Sequence, residues 1–252
     1  MRFNSLSRAT GNLAKHVRGI SQESARIADC DVIKLLGKHC NLNYLREIVG
    51  NGRSAIQPRT AQTSVSEAGL LAIAAYTSAG LDRMIHETYS STGGPSHHRG
   101  AMLALESLIL RTLHTMALTR VGAVKRNLTL NPEEFRSIYK PGALVRFDRI
   151  TSVTLQPHQV YRGGNVDLTI GSDIDVIDVS SLSAFSGQHA RGEKEGLLEP
   201  GSIFEVLRME PRKEHSPLDL PQPGAPLHCE EWSVVLRQSE LTFDPKSPLA
   251  NP

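Results

Sequence analysis

Cysteine is scarce in this 252-residue chain: Cys30, Cys40 and Cys229 are all it has. An odd number of cysteines, with no Cys-x-x-Cys pair, excludes a disulfide-built scaffold and a thiolate metal knot. Aromatic residues make up 5% and there is one tryptophan, so the core must be built from Leu, Ile, Val and Ala. No run approaches the roughly 18 apolar residues of a membrane span, which argues against a membrane protein. The opening Met-Arg-Phe-Asn-Ser-Leu-Ser-Arg lacks the apolar stretch of a cleavable signal peptide. It also does not begin Met-Gly, which excludes myristoylation at that start. Neither sign of charge dominates: 28 Lys+Arg face 26 Asp+Glu, a net +2. That balance excludes a strongly basic nucleic-acid binder.

What is present suits a globular protein of one large or two small domains, with 39% hydrophobic and 21% charged residues. The even charge total conceals a split. Residues 1–60 hold ten Lys+Arg and four Asp+Glu, leaving 18 positive and 22 negative residues for the rest. A basic, largely flexible arm of +6 therefore precedes a body of −4. A solvated tail is the ordinary meaning of such a bias. A polar start bearing Ser and Arg also suits export by a dedicated machine, with a secretion chaperone on the arm.

The order of elements reads as helices first and strands later, an α+β domain. In the arm, Asp31–His39 reads as one short helix. Ser64-Val-Ser-Glu67 has the pattern of a capping box, in which Ser64 accepts near Glu67 and Glu67 reaches back. Leu70, Leu71, Ala74, Leu81, Met84 and Ile85 continue at helical spacing, against the cost of Gly69 and Gly80. A loop over Ser90–Ser96 follows, then a helix from Ala101 to about Met116. Asn131-Pro-Glu-Glu-Phe135 starts a shorter helix, with Asn as cap, Pro at the first position and two acids at the positive end of the dipole. Strands are predicted at Val166–Ile170, Ile203–Met209 and Trp232–Leu236, with a Pro-rich loop over 210–228. Residues 241–252 read as a loose tail, which leaves 61–240 as the folded domain.

One segment concentrates acidic chemistry: Gly192-Glu193-Lys194-Glu195-Gly196-Leu197-Leu198-Glu199-Pro200-Gly201-Ser202-Ile203-Phe204. Glu193 and Glu195 share a face at strand spacing. Two carboxylates side by side repel, and one use for them is to stabilise a sugar cation while the second handles a nucleophile. On a solvated turn the same pair has no function. Other patterns carry less. Ser96-His97-His98-Arg99 has no Cys or carboxylate at ligand spacing and reads as a polar loop. Asp173, Asp175 and Asp178 do not follow the calcium-loop pattern. No phosphate-binding glycine loop is present.

The context of Glu-x-Glu, with Leu-Leu-x-Pro-Gly-Ser-x-Phe-x-Val after it, resembles the acidic signature of bacterial mono-ADP-ribosyltransferases of the Arg-Ser-Glu clade. Three further segments resemble that family in the same order. Ala72–Thr77 with Leu81–Ile85 is similar to its opening helix, Thr119-Arg120-Val121-Gly122 to its arginine strand, and Tyr139–Thr154 to its glycine, apolar and Ser-Thr-Ser segment. Tyr161-Arg162-Gly163 also resembles the arginine strand, but it lies after the serine strand and would reverse the order. The resemblance covers about residues 64–238. It departs at Thr119 in place of an aromatic, at Val121, at Val153 within the serine motif, and at Gly196 in place of a β-branched residue.

The resemblance implies N-terminal helices on a two-sheet β core and a secreted, type III effector-like toxin delivered into a host cell. It implies transfer of ADP-ribose from NAD to arginine of a host protein by a monomer, with no metal. Arg120 would lie on the NAD diphosphate side. Ser152, with Thr154 beside it, would hold the nicotinamide ribose and the catalytic carboxylate. Glu195 would bond the ribose 2′-hydroxyl and stabilise the oxocarbenium-like state. Glu193 would orient the acceptor and take its proton, and Tyr161 would stack on nicotinamide. A different class of protein remains open: a catalytically weak module of the same fold, binding a host protein or an arginine-containing peptide. A third reading is an unrelated α+β domain. If the acceptor site takes arginine, Arg46, Arg53 or Arg59 of the arm could serve as a tethered mimic.

Overall fold

The computed structural model describes residues 29–78, 81–82, 84–85, 96–156, 164–183, 194–212 and 231–239. They fall into two units, a helical one ending at Ala117 and a β-rich one beginning at Leu118.

The helical unit holds α1 (Asp29–His39), α2 (Leu42–Gly52), α3 (Glu67–Ser78) and α4 (Ser96–Leu113). Helix α2 falls within the stretch read from sequence as arm. Its start is set by Asn41, whose side chain accepts from the backbone N–H of Asn43 and Tyr44. It buries Leu45 and Val49. Helices α1 and α2 pack on α3. Helix α3 buries every residue from Ala68 to Thr77, so it has no polar face to show an amphipathic period. Its cap lies two residues later than the capping box suggests: the Ser66 hydroxyl, not that of Ser64, accepts from the Gly69 N–H at 3.1 Å. Gly69 is also the crossing point with α4. A Cβ there would stand 2.1 Å from Thr112 Oγ1, so only glycine admits the approach. Ser96–Arg99, read as loop, opens α4 instead. Arg59 is tied within this unit, its N–H donating to the Thr115 carbonyl and its Nε to the Met116 carbonyl. No helix among the described residues is long and apolar enough to cross a membrane.

The β-rich unit contains β1 (Thr119–Leu128), α5 (Pro132–Ile138), β2 (Leu144–Phe147), β3 (Thr151–Thr154), β4 (Val166–Asp178), β5 (Glu195–Leu198), β6 (Ser202–Pro211) and β7 (Trp232–Gln238). The strand order is β1-β3-β5-β4-β7-β6-β2, and β1 also pairs with β4. The 13-residue β4 is the axis of this arrangement. Its first half lies between β1 and the parallel β7, and its end pairs with β5. The change of neighbour occurs at a bulge, where the β1 register jumps from Ile174 to Gly171 and Asp173 adopts φ 55. Aspartate tolerates that left-handed conformation better than most residues.

Helix α5 forms as its sequence predicts. Asn131 Oδ1 accepts from the Glu134 N–H at 2.7 Å, and Pro132 occupies the first turn. It delivers Phe135 into the core, stacked between Tyr139 (5.5 Å) and Trp232 (5.1 Å). Burial pushes the Tyr139 phenol up to about 12 from its ordinary 10, with Arg126 pulling down and Glu134 pushing up. The unfolded phenol ionises first, so Tyr139 contributes stability that is complete below about pH 10 and is lost as pH rises toward about 12. Urea titrations of wild type and Tyr139→Phe should therefore diverge between pH 8 and 11.5, with the variant losing less. Parallel curves would show that Tyr139 is not the group responsible.

Candidate functional site

Strands β3 and β5 set the site. Their antiparallel register places Thr154 opposite Glu195 and Ser152 opposite Leu197. Residues two apart share a face, so Ser152, Thr154 and Glu195 point the same way. The Ser152 hydroxyl donates to Glu195 Oε1 at 2.5 Å. Glu195 is buried, with 9% of its surface exposed. A carboxylate withdrawn from water is costly unless it is hydrogen-bonded, and the serine supplies that bond.

The backbone around Glu195 is held from both sides. Its carbonyl accepts from the Val179 N–H at 3.0 Å and the Ser180 hydroxyl at 3.3 Å. The neighbouring Lys194 carbonyl accepts from the Leu155 N–H at 2.8 Å. Gly196 stands where the family resemblance expects a β-branched residue. A Cβ at Gly196 would lie 2.6 Å from Leu155 Cδ2, with Val176 Cβ at 3.5 Å. Leu155 thus fills the space that the missing side chain would occupy.

Arg120 reaches the same face by a different route. It pairs with Asp175, which lies two residues before Ile177, and Ile177 pairs with Leu197, two residues after Glu195. Every step preserves the face. Val121 and Val124 both pack toward the apolar core, so β1 changes face over Gly122 and Ala123, opposite the β4 bulge. This irregularity is where the sequence departs from the family's spacing. Arg120 makes ion pairs with Asp173 (3.9 Å) and Asp175 (3.7 Å). All three side chains are substantially exposed, and exposed pairs contribute only about 0–1 kcal/mol. The guanidinium is therefore held loosely.

The structure thus brings Arg120, Ser152, Thr154 and Glu195 onto one face, with Ser152 and Glu195 in contact. Glu193 and Tyr161 lie outside the described residues, as do Arg162 and Gly163 of the competing arginine motif. Asp178 accepts from the Ser180 N–H at 2.9 Å. Among the described residues no group of three or more His, Cys, Asp and Glu is placed to hold a metal.

Two residues went unnoticed in the sequence. Arg126 Nη1 donates to the Ser152 carbonyl at 2.6 Å, bracing the serine from the core side. Lys125 pairs with Thr154, so Lys125, Thr154 and Glu195 form one row across three strands. Neither carries a motif, because register alone places them.

No protein-family model matches the chain, and no curated protein is similar to it in sequence. Solved structures are similar in backbone. The type III effector XopAI of Xanthomonas axonopodis pv. citri matches with a TM-score of 0.57 at 14% identity, over 90% of this chain and 92% of its own. Exoenzyme S of Pseudomonas aeruginosa, solved with human 14-3-3 protein beta and carba-NAD, gives 0.56 at 15%, over 84% and 90%. ADP-ribosyltransferase Vis of Vibrio splendidus, in complex with agmatine, gives 0.53 at 9%, over 88% and 90%.

The fold is that of the ADP-ribosyltransferases.

At such identities the ADP-ribosyltransferase likeness is one of chain path. Side-chain roles have to be argued from this protein's own residues.

Proposed function

We propose that this protein is an NAD-dependent mono-ADP-ribosyltransferase that modifies arginine on a host protein after delivery into the host cell. The observation that carries the reading is the Ser152–Glu195 hydrogen bond, buried between adjacent strands of an ADP-ribosyltransferase fold. Support for the substrate comes from Exoenzyme S, solved with carba-NAD, and support for the acceptor from Vis, solved with the guanidinium compound agmatine. The similar XopAI is a type III effector.

In this reading the Ser152 hydroxyl orients the Glu195 carboxylate, which bonds the ribose 2′-hydroxyl. The bond between ribose C1′ and the nicotinamide nitrogen breaks, and nicotinamide leaves with the electron pair as a neutral molecule. Glu195 stabilises the positive charge that develops on the sugar. A guanidinium nitrogen of the acceptor then bonds to C1′, and Glu193 takes its proton. A guanidinium has a pKa above 12 and needs such a base before it can attack. Arg120 and Thr154 contact the dinucleotide, and Tyr161 stacks on nicotinamide. Residues 1–60 serve export and chaperone binding, and the protein acts as a monomer.

A second reading draws on the Arg120 ion pairs. With two carboxylates, Asp173 and Asp175, beside its guanidinium, that corner repels an anionic dinucleotide, and the fold then serves as a catalytically weak module that binds a host protein or an arginine-containing peptide. Calorimetry separates the two, since NAD binding favours the enzyme and partner binding without NAD binding favours the module. The enzyme is tested by incubating labelled NAD with host proteins, wild type against Glu195→Gln, with and without excess small guanidinium compound. Wild type should transfer label and the competitor should suppress it. Equal labelling by the variant would remove Glu195 from the mechanism.

A further inference from the structure

We propose that Lys125 is an anion-binding residue of this site, its ammonium contacting the diphosphate of NAD. The inference rests on the proposed function and adds a residue to it.

The first ground is position. Lys125 is paired with Thr154, and Thr154 with Glu195. Directly opposed residues put their side chains on the same face of a sheet. Neighbouring strands lie about 4.8 Å apart, so the backbones of Lys125 and Glu195 stand roughly 10 Å apart across two steps. A lysine side chain extended toward Thr154 covers much of that gap. In NAD the carbon that Glu195 would serve is separated from the nearest phosphate by the ribose ring and one ester linkage. A ligand seated with its ribose at Glu195 and its diphosphate turned toward β1 therefore brings a phosphate within reach of Lys125.

The second ground is charge. The glycosidic centre of NAD is cationic and suits Glu195, whereas the diphosphate is anionic and needs a cation. Arg120 faces two carboxylates, Asp173 and Asp175, at 3.9 and 3.7 Å. One guanidinium against two acids leaves that corner net negative. Lys125 is half-buried, and its ammonium makes no hydrogen bond or ion pair among the described residues. It supplies the positive charge of the row, at the opposite end from Glu195. A lysine suits this task because its compact charge and flexible stem tolerate variable phosphate geometry. If the ammonium merely extends into solvent, as lysines on half-buried strands commonly do, its loss will not affect NAD.

The test measures affinity without turnover. NAD is titrated calorimetrically into the full chain carrying Glu195→Gln, alone and combined with Lys125→Gln, Lys125→Arg or Lys140→Gln. Lys140 is exposed in the same unit and controls for the change in net charge. Lys125→Gln should weaken NAD binding about tenfold, the scale of one charge-assisted hydrogen bond. Lys125→Arg should stay within about threefold and Lys140→Gln should change nothing. Added salt should weaken the parent more than the Lys125→Gln protein. Nicotinamide riboside, which lacks the diphosphate, should bind both equally; equal losses for both ligands would indicate a general structural defect and overturn the assignment. NAD affinity unchanged by Lys125→Gln would overturn it as well. If Glu195→Gln still labels protein as wild type does, the proposed reaction fails while this affinity comparison still decides the role of Lys125. Absence of NAD binding to the parent would overturn both.

Discussion

In the proposed reaction, Glu195→Gln should lower the rate of NAD cleavage by about 10²–10³-fold, the usual consequence of removing a group aimed at charge that develops only in the transition state. The substitution keeps shape and keeps an oxygen that can accept from the Ser152 hydroxyl, now 2.5 Å away. What it removes is the negative charge. The loss should therefore fall on kcat, with KM for NAD changed by much less, because charge on the sugar is small in the ground state. Stability should not suffer. Glutamine matches glutamate in shape and can keep the bond from the Ser152 hydroxyl, so the melting temperature should stay close to that of wild type. Steady-state kinetics with single-turnover controls, together with thermal melts, provide the readout. A variant that melts normally and retains wild-type kcat would exclude Glu195 from the reaction. A variant that loses activity only in step with its melting temperature would show a structural role.

Phe135→Ala destabilises the β-rich unit by about 3–5 kcal/mol, the range for truncating a fully buried aromatic. Phe135 has 1% exposure and is the side chain through which the seven-residue α5 engages the core. It is stacked on Tyr139 and Trp232, so its removal costs ring contacts on both sides. Against a typical total of 5–15 kcal/mol this loss is severe. Trp232 is the single tryptophan of the chain, so its fluorescence reports directly on the damaged contact. Urea unfolding followed by that signal should show a lower midpoint, with a native baseline shifted toward a solvent-exposed indole. A change below about 1 kcal/mol would mean that the cavity collapses and that Tyr139 and Trp232 close over it.

The sequence made the regular parts legible for local reasons. Asn131-Pro132 announced α5 because a cap and a fixed φ act within one turn. Val166–Ile170 announced β4 because a half-buried strand alternates. The miss at α2 has a different cause. Asn41 is a sound cap and Leu42, Leu45, Ile48 and Val49 recur at helical spacing, but the charge bias of residues 1–60 as a whole conceals this short segment. The cap of α3 was displaced because Ser64 and Ser66 offer similar chemistry and packing at Gly69 and Thr112 chose between them. At the site, Glu195 is visible as half of an acidic pair, whereas Ser152 is marked only by resemblance to a family. Their contact spans 43 residues of sequence, and no periodic pattern carries that information. Lys125 and Arg126 were invisible for the same reason, since both are placed by a register. The change of face along β1 depends on a bulge in another strand, so alternation counted along β1 alone misleads.

The bulge in β4 has one more consequence. A strand that changes partners without breaking acts as a shared spar. Load from the β7 ladder reaches β5 through covalent bonds rather than through side-chain packing. The strand bearing Glu195 is only four residues long, yet it borrows the stiffness of the longest strand in the unit. Strands β4 and β5 should therefore melt as one cooperative piece. The Glu195 carboxylate is thereby carried on the frame of the β-rich unit.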